Sequence, residues 1–474
     1  MKNQFGKIWK FLLLALPLFL GTAGFCAAGE RLLDAAFISL CLYGMEYQDP
    51  PVNGLVEIAR WTAPLAVAGG VLMLFAAFRQ YVSNFFRYMG GDSVAVYGPD
   101  ERIGEVLARL GGRGIRGGET FVRAHRYMLM GDEEENLAFY SKNRESLAGH
   151  VTYLWSSSLR AQENADPDVR VVCPEETKAR LFWKKHCLYD MSLRRGHQMK
   201  LVFVGFGRLG EELLLQGLQN NIFDPEQRIE YHIFGDGDGF LAVHHQMPQI
   251  QDPVVFHGGP WHGDIALLEE AQMVVVLSQE NQLMLVRDLL LALNRKEFHV
   301  FAAEDRGFGL LSGRERLRLF CPEQEEEWFD CVWGDSLFEQ AKRINLRYAS
   351  LYGGAPDTDE AKEAEWRKLD GFTRYSNISS ADYHQVQQKM LSVMGQPEEP
   401  EKFSMECMEL LSELEHIRWC RYHHLNNWRY GVLENGKSKD PERRIHRDLI
   451  SYDKLTDDEK NKDRENIRIL FSVK

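Results

Sequence analysis

Two long stretches without a charged residue, near the start of the chain, constrain its fold more than any other sequence feature. Residues 11–29 form the first stretch, of 19 residues, and residues 61–78 form the second, of 18 residues. At a rise of about 1.5 Å per residue, helices of this length span a hydrocarbon layer about 30 Å thick. We therefore predict an α-helical membrane unit over residues 1–89, with spans at about residues 8–28 and 59–80.

Basic residues flank this pair of stretches on its outer sides. Lys2, Lys7 and Lys10 precede the first stretch, and Arg79 and Arg87 follow the second. Because basic residues concentrate on the cytoplasmic side, the pattern predicts a two-span hairpin in the inner membrane, with both termini in the cytoplasm. The alternative for the first stretch is a cleaved signal peptide. In that case the downstream domains would be exported or left on the wrong side of the membrane.

The segment between the two spans contains a further apolar run and a glycine turn. Residues 32–42 predict a short half-helix, and Pro50 and Pro51 later break regular structure. The order of span, half-helix, turn and span resembles the pore unit of two-span cation channels, with a pore loop at residues 32–49. The sequence LYGMEY stands where potassium channels carry a TVGYG-type filter.

In such channels, backbone carbonyls just after the half-helix replace the water shell of the ion. The resemblance therefore implies a pore for monovalent cations. Five acidic residues and two basic ones in residues 30–60 would concentrate cations at its mouth. The alternative is an extracytoplasmic cap that joins two anchoring helices. The candidate pore residues are Tyr43, Gly44, Met45 and Glu46.

Overall charge and cysteine content exclude several functional classes. The formal net charge of −13 argues against a broad phosphate-binding surface, so we expect no nucleic-acid partner. The eight cysteines are scattered and form no CxxC pair, which argues against a zinc ribbon or a redox dithiol. We predict no metal site. A length of 474 residues predicts several domains.

A nucleotide-binding fingerprint lies in the middle of the chain. The apolar strand of residues 200–204 runs directly into a GxGxxG motif at residues 205–210, and an apolar-faced helix follows. Glycines in this context permit the tight turn, the close approach of a phosphate and the packing of the helix. Asp236 lies near the usual position of a ribose-binding carboxylate. The candidate cofactor-binding residues are Gly205, Gly207, Arg208, Gly210 and Asp236.

Alternating strands and helices continue after this motif, which predicts a parallel, doubly wound Rossmann-like α/β lobe over residues 197–353. Residues 90–196 repeat the plan more loosely, with strands near residues 93–97, 127–130, 151–155 and 169–173. Asp100 replaces the middle glycine of the motif there. We therefore predict that this first lobe is degenerate, and is structural or differently liganded.

A pair of such lobes directly after a two-span membrane unit resembles RCK domains, the cytoplasmic regulators of potassium conductance. The resemblance covers about residues 90–353 and includes a helix at residues 335–352 that follows the sheet. It implies a gating ring that bears on the pore helices, and a homotetramer. NAD, ATP or ADP, or a cyclic nucleotide could occupy the second lobe. The alternative is that its glycines serve backbone turns only.

The C-terminal part carries the most specific motifs. A polar linker is predicted at residues 354–369 and a helix at residues 403–422. The ordered motifs LEHIRW, NWRYG, IHRDLISYDKL and EKNKDRENI resemble the ryanodine-receptor-type (RyR) domain of bacterial proteins, over residues 370–474. That family is associated with bacterial signalling and antiviral cassettes. Arg447 replaces the proline that usually follows the motif histidine.

Aromatic and basic residues recur within these motifs, and together they would suit a purine nucleotide. Flat side chains stack on a base, and cationic donors form charge-assisted hydrogen bonds with phosphate. The alternative is that the aromatic residues form the small core of a helical domain. The candidate ligand-binding residues are His416, Arg418, Trp419, Trp428, Arg429, Tyr430 and His446.

These features together predict a membrane-embedded, ligand-gated, channel-like effector that senses a small nucleotide and has no enzymatic activity. A membrane-tethered nucleotide sensor without a conducting pore is the main alternative. An NAD-dependent oxidoreductase on a membrane anchor is a further one, but no hydride-transfer acid or base stands out beside the glycines. We predict no catalytic residue.

Overall fold

The structure, a computed structural model, describes most of the chain and forms two compact units. The units are Met1–Val96 with Ile103–Arg126, and Tyr97–Arg102 with Tyr127–Lys474. The described residues are 2–118, 120–160, 166–302, 307–321, 328, 330–331, 336–434 and 436–472. The chain is mixed α/β, with two parallel sheets and a helical C-terminal region.

Three helices make up the N-terminal part of the first unit. They are α1 (Lys2–Ala27), α2 (Leu32–Cys41) and α3 (Gly54–Met89). Helix α2 confirms the predicted half-helix, and a short 3-10 turn, Leu42–Gly44, extends it. Within the described residues, the segment Gly54–Leu72 alone is long and apolar enough to cross a membrane, whereas Ala15–Ala27 and Leu32–Gly44 are shorter apolar segments.

Small residues on α1 allow the other two helices to approach it closely. A β-carbon at Gly21 would lie 2.7 Å from the Ser39 hydroxyl of α2. A β-carbon at Gly24 would lie 2.7 Å from a methyl group of Val56 on α3. The Asn53 side chain accepts hydrogen bonds from two amides at the start of α3 and donates to the Gly24 carbonyl at 2.7 Å. These contacts pack the three helices as one bundle.

The elements of residues 94–194 confirm the predicted strands of the first lobe. Strands β1 and β2 pair in parallel, and so do β4 and β5. The elements are β1 (Val94–Tyr97), α4 (Asp100–Leu110), β2 (Gly114–Arg116), β3 (Arg126–Leu129), α5 (Glu133–Leu147), β4 (Val151–Trp155), β5 (Val169–Val172), α6 (Pro174–Lys185) and α7 (Tyr189–Arg194).

The second parallel sheet has six strands and lies wholly in the second unit. Its order is β11-β10-β9-β6-β7-β8, so the first strand in sequence lies between the second and the fourth. This is the doubly wound order of dinucleotide-binding folds, and it confirms the predicted lobe. The elements are β6 (Gln198–Val204), α8 (Gly207–Asn220), β7 (Arg228–Phe234), α9 (Asp238–Val243), β8 (Val254–His257), α10 (Ile265–Glu270), β9 (Met273–Val276), α11 (Gln282–Ala292), β10 (Phe298–Phe301) and β11 (Leu317–Phe320).

Strand β6 is buried on both faces, as expected for a central strand of a parallel sheet. Leu201 and Phe203 point into one hydrophobic cluster, and Val202 and Val204 point into another. Because successive side chains of a strand alternate between faces, the apolar run of this strand supplies both cores. The glycine motif follows at the carboxyl end of this strand.

The first two glycines of the motif differ in how much space surrounds them, which gives a matched test of the fold. Gly205 has φ +93°, and a β-carbon there would lie 2.7 Å from the Ser278 amide nitrogen. Gly207 has φ +62°, but nothing lies within 4 Å of its β-carbon position. We expect Gly205→Ala to lower the free energy of unfolding by about 3 kcal/mol, because backbone strain and a steric clash add.

Gly207→Ala should lower the free energy of unfolding by only about 1 kcal/mol, because it introduces backbone strain without a steric clash. Chemical denaturation of the full chain in detergent, followed by fluorescence, compares the two variants. Equal destabilisation by both would contradict the packing of Gly205 against Ser278.

Helices dominate the C-terminal region, and a small three-stranded sheet of order β12-β14-β13 accompanies them. The predicted linker at residues 354–369 contains a helix. The helix predicted at residues 335–352 is present from residue 336, and residue 335 lies outside the described residues. The elements are α12 (Ser336–Gly353), α13 (Asp359–Lys368), α14 (Gly371–Met394), α15 (Met405–Leu425), β12 (Arg429–Tyr430), β13 (Lys439–Asp440), β14 (Ile445–His446) and α16 (Asp457–Ser472).

Helix α14 packs against the Rossmann-like lobe through buried polar contacts. The Arg180 guanidinium pairs with the Asp382 carboxylate at 2.7 Å. Tyr375 accepts a hydrogen bond from Gln216 at 2.9 Å, and Tyr383 donates to the Ile222 carbonyl at 2.8 Å. Since buried polar groups are costly unless paired, these contacts fix the position of α14 relative to α6 and α8.

Candidate functional site

An aromatic cavity of about 470 Å³ lies between the first turn of α14, the last turns of α15 and the small sheet. Trp419 and His423 stand one turn apart on α15 and reach it from one side. Trp428 follows this helix, His446 lies on β14, and Phe372 comes from the start of α14. The sequence therefore assembles the cavity from three separate segments of the second unit.

The aromatic rings of this cavity are closely spaced. The centroids of Phe372 and Trp428 lie 5.5 Å apart, with their planes inclined by 30°. Trp419 contacts His446 edge-on at 4.9 Å and His423 at 4.0 Å. Trp428 is 7% exposed and belongs largely to the core, whereas Trp419 is half-buried. Trp419 therefore offers a ligand more accessible ring surface than Trp428 does.

Basic and polar groups line the rest of the cavity. Lys439 and Arg444 contribute positive charge, and Asp370, Ser376 and Asn426 contribute hydrogen-bonding groups. Lys439 and Arg444 lie on a basic turn, residues 437–447, and neither was among the predicted ligand-binding residues. The antiparallel pairing of β13 with β14, which sets Lys439 opposite His446, brings this turn to the cavity. Phe372 and His423 were also absent from the predicted site, because no local motif connects them to it.

The two histidines of the cavity carry no charge at neutral pH. Burial lowers the pKa of His423 to about 3. Burial, together with the positive charges of Lys439, Arg447 and Lys462, lowers the pKa of His446 to about 4. The cavity therefore combines neutral aromatic walls with cationic groups on the basic turn. Such a combination suits a flat heteroaromatic ring that bears an anionic group.

The structure separates the other predicted ligand-binding residues from the aromatic cavity. Arg418 is 2% exposed, and its guanidinium pairs with Glu415 through two contacts of 2.9 Å. His416, Arg429 and Tyr430 line a second cavity, of about 510 Å³, beside another face of α15. Trp419, Trp428 and His446 therefore share the aromatic cavity, whereas the other four predicted residues do not line it.

His416 is held as a cation by its neighbours. Its Nδ1 lies 3.3 Å from the Asp463 carboxylate, and its Nε2 lies 2.8 Å from the Ile450 carbonyl oxygen. Both partners are acceptors, so both ring nitrogens donate. Burial opposes this charge, but Asp463 and the neighbouring Cys420 sulfur outweigh it and raise the pKa of His416 to about 11.

This raised pKa predicts a loss of stability in alkaline solution. The unfolded chain has an ordinary histidine pKa near 6.5, so the contribution of His416 is complete below about pH 6.5 and is lost as the pH rises toward about 11. We expect the free energy of unfolding to fall by up to about 1.4 kcal/mol per pH unit above pH 7.

Denaturation of the full chain at a series of pH values measures this slope. His416→Gln should lose it, whereas His262→Gln, which changes an exposed histidine, should retain it. A His416→Gln variant with the slope of the unmodified chain would show that His416 is not the titrating group.

A third cavity, of about 550 Å³, lies at the glycine motif. Gly205, Gly207 and Arg208 line it together with Ser278 and Gln279, which follow β9. β6 and β9 are neighbours in the sheet, and from this pair the strand order runs in opposite directions toward the two edges. The cavity therefore lies at the topological switch point, which is where doubly wound folds bind ligands.

The glycine loop fits a phosphate group, but the rest of the fingerprint fits a dinucleotide less well. Arg208 pairs with Glu211 and Glu212, each at 3.1 Å, so its charge is already neutralised. Gly210 packs on the Phe206 ring inside α8. Asp236 accepts a hydrogen bond from the Asp238 amide and does not line the cavity. Of the five predicted cofactor-binding residues, Gly205, Gly207 and Arg208 thus line this cavity, and Gly210 and Asp236 do not.

The predicted pore residues surround the C-terminal end of α2. The Tyr43 hydroxyl accepts a hydrogen bond from the Leu18 amide of α1 at 3.1 Å. Gly44 closes the 3-10 turn, and Met45 follows in the left-handed conformation with φ 59°. Gly44, Met45 and Glu46 are exposed. These residues therefore lie together at the turn that follows the half-helix.

Comparison with known families bears on the C-terminal region. Residues 400–473 match the RyR domain family. This match confirms the predicted family for that part of the chain, and it includes Trp419, Trp428 and His446. Phe372 and Asp370, which complete the aromatic cavity, precede the matched residues. No curated protein and no solved structure matches the chain.

Proposed function

We propose that this protein is a membrane-embedded, channel-like effector that responds to a small nucleotide bound in the aromatic cavity. The arrangement of Trp419 beside Lys439 and Arg444 carries the proposal. An aromatic face supplies sequence-independent stacking for a base, and guanidinium and ammonium groups bind phosphate. The volume of about 470 Å³ lies within the range of small-molecule sites.

The hydrogen-bonding groups of the cavity define how such a ligand would be oriented. The base stacks against Trp419, near the neutral ring of His446, while its phosphate faces Lys439 and Arg444. Asp370 accepts hydrogen bonds from a ribose hydroxyl or from an exocyclic amine. A purine mononucleotide unit, free or within a cyclic oligonucleotide, offers this combination of groups.

The membrane assignment rests on the first unit. The segment Gly54–Leu72 is long and apolar enough to span a bilayer, and large apolar side chains on α3 are exposed, including Trp61, Leu65 and Leu72. Residues 8–28 supply the second span in this proposal, and the turn after α2 lines a cation pathway in a homotetramer. The ligand acts by binding two conformations of the assembly with different affinity.

Flux measurements test the channel part of the proposal. Full-length protein in liposomes should release monovalent cations when a nucleotide of the right class is added. Gly44→Val and Glu46→Gln should change the flux without changing nucleotide affinity, because both residues lie at the turn after α2 and outside the aromatic cavity. Tight nucleotide binding without flux in any lipid would contradict a conducting pore.

A membrane-tethered sensor without a pore is the second candidate function, and Tyr43 favours it. Its hydroxyl is held by the Leu18 amide within the bundle, as in a cap that joins two anchoring helices. Such a sensor should rearrange its oligomer when the nucleotide binds, yet remain electrically silent. Gly44→Val would then change neither binding nor assembly.

A further inference from the structure

An arginine cluster surrounds the C-terminal end of α3, within the first unit. The Arg87 guanidinium donates a hydrogen bond to the Gly114 carbonyl, so the last turn of α3 lies beside β2. The Arg123 guanidinium lies over the neighbouring Tyr88 ring, 5.9 Å from its centroid. Two further arginines share the Asp92 carboxylate, which follows the helix. The members of the arginine cluster are Arg87, Arg113, Arg123 and Arg126.

The arginine cluster carries more positive charge than its described neighbours neutralise. Asp92 lies 2.9 Å from Arg113 and 3.3 Å from Arg126, so one carboxylate serves two guanidinium groups. The partners described above for Arg87 and Arg123 are a carbonyl group and an aromatic ring, which are neutral. The Arg113 and Arg126 side chains are 57% and 44% exposed. An anion in the surrounding medium can therefore reach them.

The sequence around the arginine cluster is basic, although the chain as a whole is acidic. Residues 79–96 and 103–126 belong to the first unit and contain seven arginines and three acidic residues. The formal net charge of the whole chain is −13. Positive charge is thus concentrated where α3 ends, and its field attracts anionic partners to this part of the surface.

Large apolar side chains are exposed next to these arginines. Phe85, Phe86 and Met89 flank Arg87 in the last turns of α3, and each is more than half exposed. A soluble polyanion would pair with the arginines but would leave these apolar side chains in water. A lipid surface covers both kinds of group, because it offers phosphate beside hydrocarbon.

The length of α3 brings its last turns to the edge of a bilayer. The helix has 36 residues, so it is about 54 Å long, whereas a hydrocarbon layer is about 30 Å thick. Residues 79–89 follow the uncharged stretch of residues 61–78 and would emerge from that layer. Guanidinium groups bind phosphate oxygens in pairs.

We propose that the arginine cluster binds the phosphate groups of anionic lipids at the surface where α3 leaves the bilayer. Phe85, Phe86 and Met89 lie among the lipid headgroups beside it. This inference rests on the membrane assignment of the first unit, but it requires neither a conducting pore nor a bound nucleotide.

Competition between two lipids tests the inference. The full chain in detergent is incubated with equal amounts of phosphatidylglycerol, which is anionic, and phosphatidylcholine, which is neutral overall. Native mass spectrometry counts each lipid that the chain retains. Phosphatidylglycerol should be retained in at least fivefold excess, because a single basic residue near the membrane surface favours anionic lipid about fivefold.

A soluble competitor separates a lipid site from a site for free phosphate compounds. Glycerophosphoglycerol has the headgroup of phosphatidylglycerol but no acyl chains. It should not displace the lipid at equal concentration, because it cannot cover the exposed apolar side chains. Displacement at equal concentration would show a soluble phosphate site and would overturn the assignment to lipid.

Two exposed arginines of the cluster provide the test variants. Arg113→Gln and Arg123→Gln should each weaken the affinity for phosphatidylglycerol about fivefold, and the double variant should weaken it about 25-fold. Arg287→Gln is the matched control, because Arg287 is also exposed and paired with a carboxylate, that of Asp288, but lies in the second unit. Equal affinity of the double variant and the control would overturn the proposal.

Flotation with vesicles of pure phosphatidylcholine tests the membrane assignment separately. A chain that floats with these vesicles after an alkaline carbonate wash, yet retains both lipids equally in detergent, would overturn the lipid site alone. A chain that does not float would contradict the membrane assignment, and the lipid site would fall with it.

Discussion

Replacement of Trp419 by leucine is expected to weaken nucleotide binding about 5- to 150-fold. Stacking of a base on an aromatic side chain contributes about 1–3 kcal/mol, and leucine keeps an apolar contact while removing the flat face. Trp419 is half-buried, so the substitution should disturb the core less than one at the more buried Trp428. Isothermal titration of the full chain in detergent measures the loss.

The matched control for this prediction is Trp261→Leu. Trp261 is also half-buried, but it packs beside a hydrophobic cluster of the Rossmann-like sheet and lines none of the three cavities. The Trp261→Leu variant should bind nucleotide with the affinity of the unmodified chain. Equal affinity of the Trp419→Leu and Trp261→Leu variants would show that the base does not stack on Trp419.

The second large effect is expected at Arg418, and it concerns stability rather than binding. Arg418→Met should lower the free energy of unfolding by about 3–5 kcal/mol, because it leaves the Glu415 carboxylate buried without its charge partner. Arg418 and Glu415 are 2% and 1% exposed. Ser380 and Asn466 still donate to Glu415, but both donors are neutral.

Denaturation of the full chain, followed by tryptophan fluorescence, tests this prediction. Arg443→Met is the matched control, because Arg443 is exposed and lies 3.6 Å from Asp440, and its loss should lower the free energy of unfolding by less than about 1 kcal/mol. The double variant Arg418→Met, Glu415→Leu should recover much of the stability, since it removes both buried charges. A stable Arg418→Met variant that binds nucleotide poorly would instead make Arg418 a ligand-binding residue.

The sequence was sufficient to predict the elements that depend on local patterns. The run of apolar residues before Gly205 predicted a strand, and the glycine spacing predicted the turn into α8. The parallel sheet followed from the alternation of strands and helices. These features depend on backbone geometry and on contacts between segments that are close in sequence. Both can be predicted from the types of the residues and their spacing.

The candidate site was predicted only in part, because it depends on how distant segments pack. Trp419 and Trp428 were found from their motifs. Phe372 reaches the cavity only because α14 packs along α15, and Lys439 reaches it only through the pairing of β13 with β14. The spacing of residues along the sequence also does not show that Arg418 pairs with Glu415 in the protein interior, although the two lie three residues apart on the same helix.

Native mass spectrometry of the detergent-purified full chain tests the central claim, that the aromatic cavity binds a nucleotide. Protein incubated with purine mononucleotides and cyclic dinucleotides should gain the mass of one nucleotide per chain, either on addition or already copurified. The Trp419→Leu variant should gain none at the same concentration, whereas Trp261→Leu should gain the same mass as the unmodified chain. Retention of an equal nucleotide load by Trp419→Leu, or no load on any of the proteins, would contradict the account.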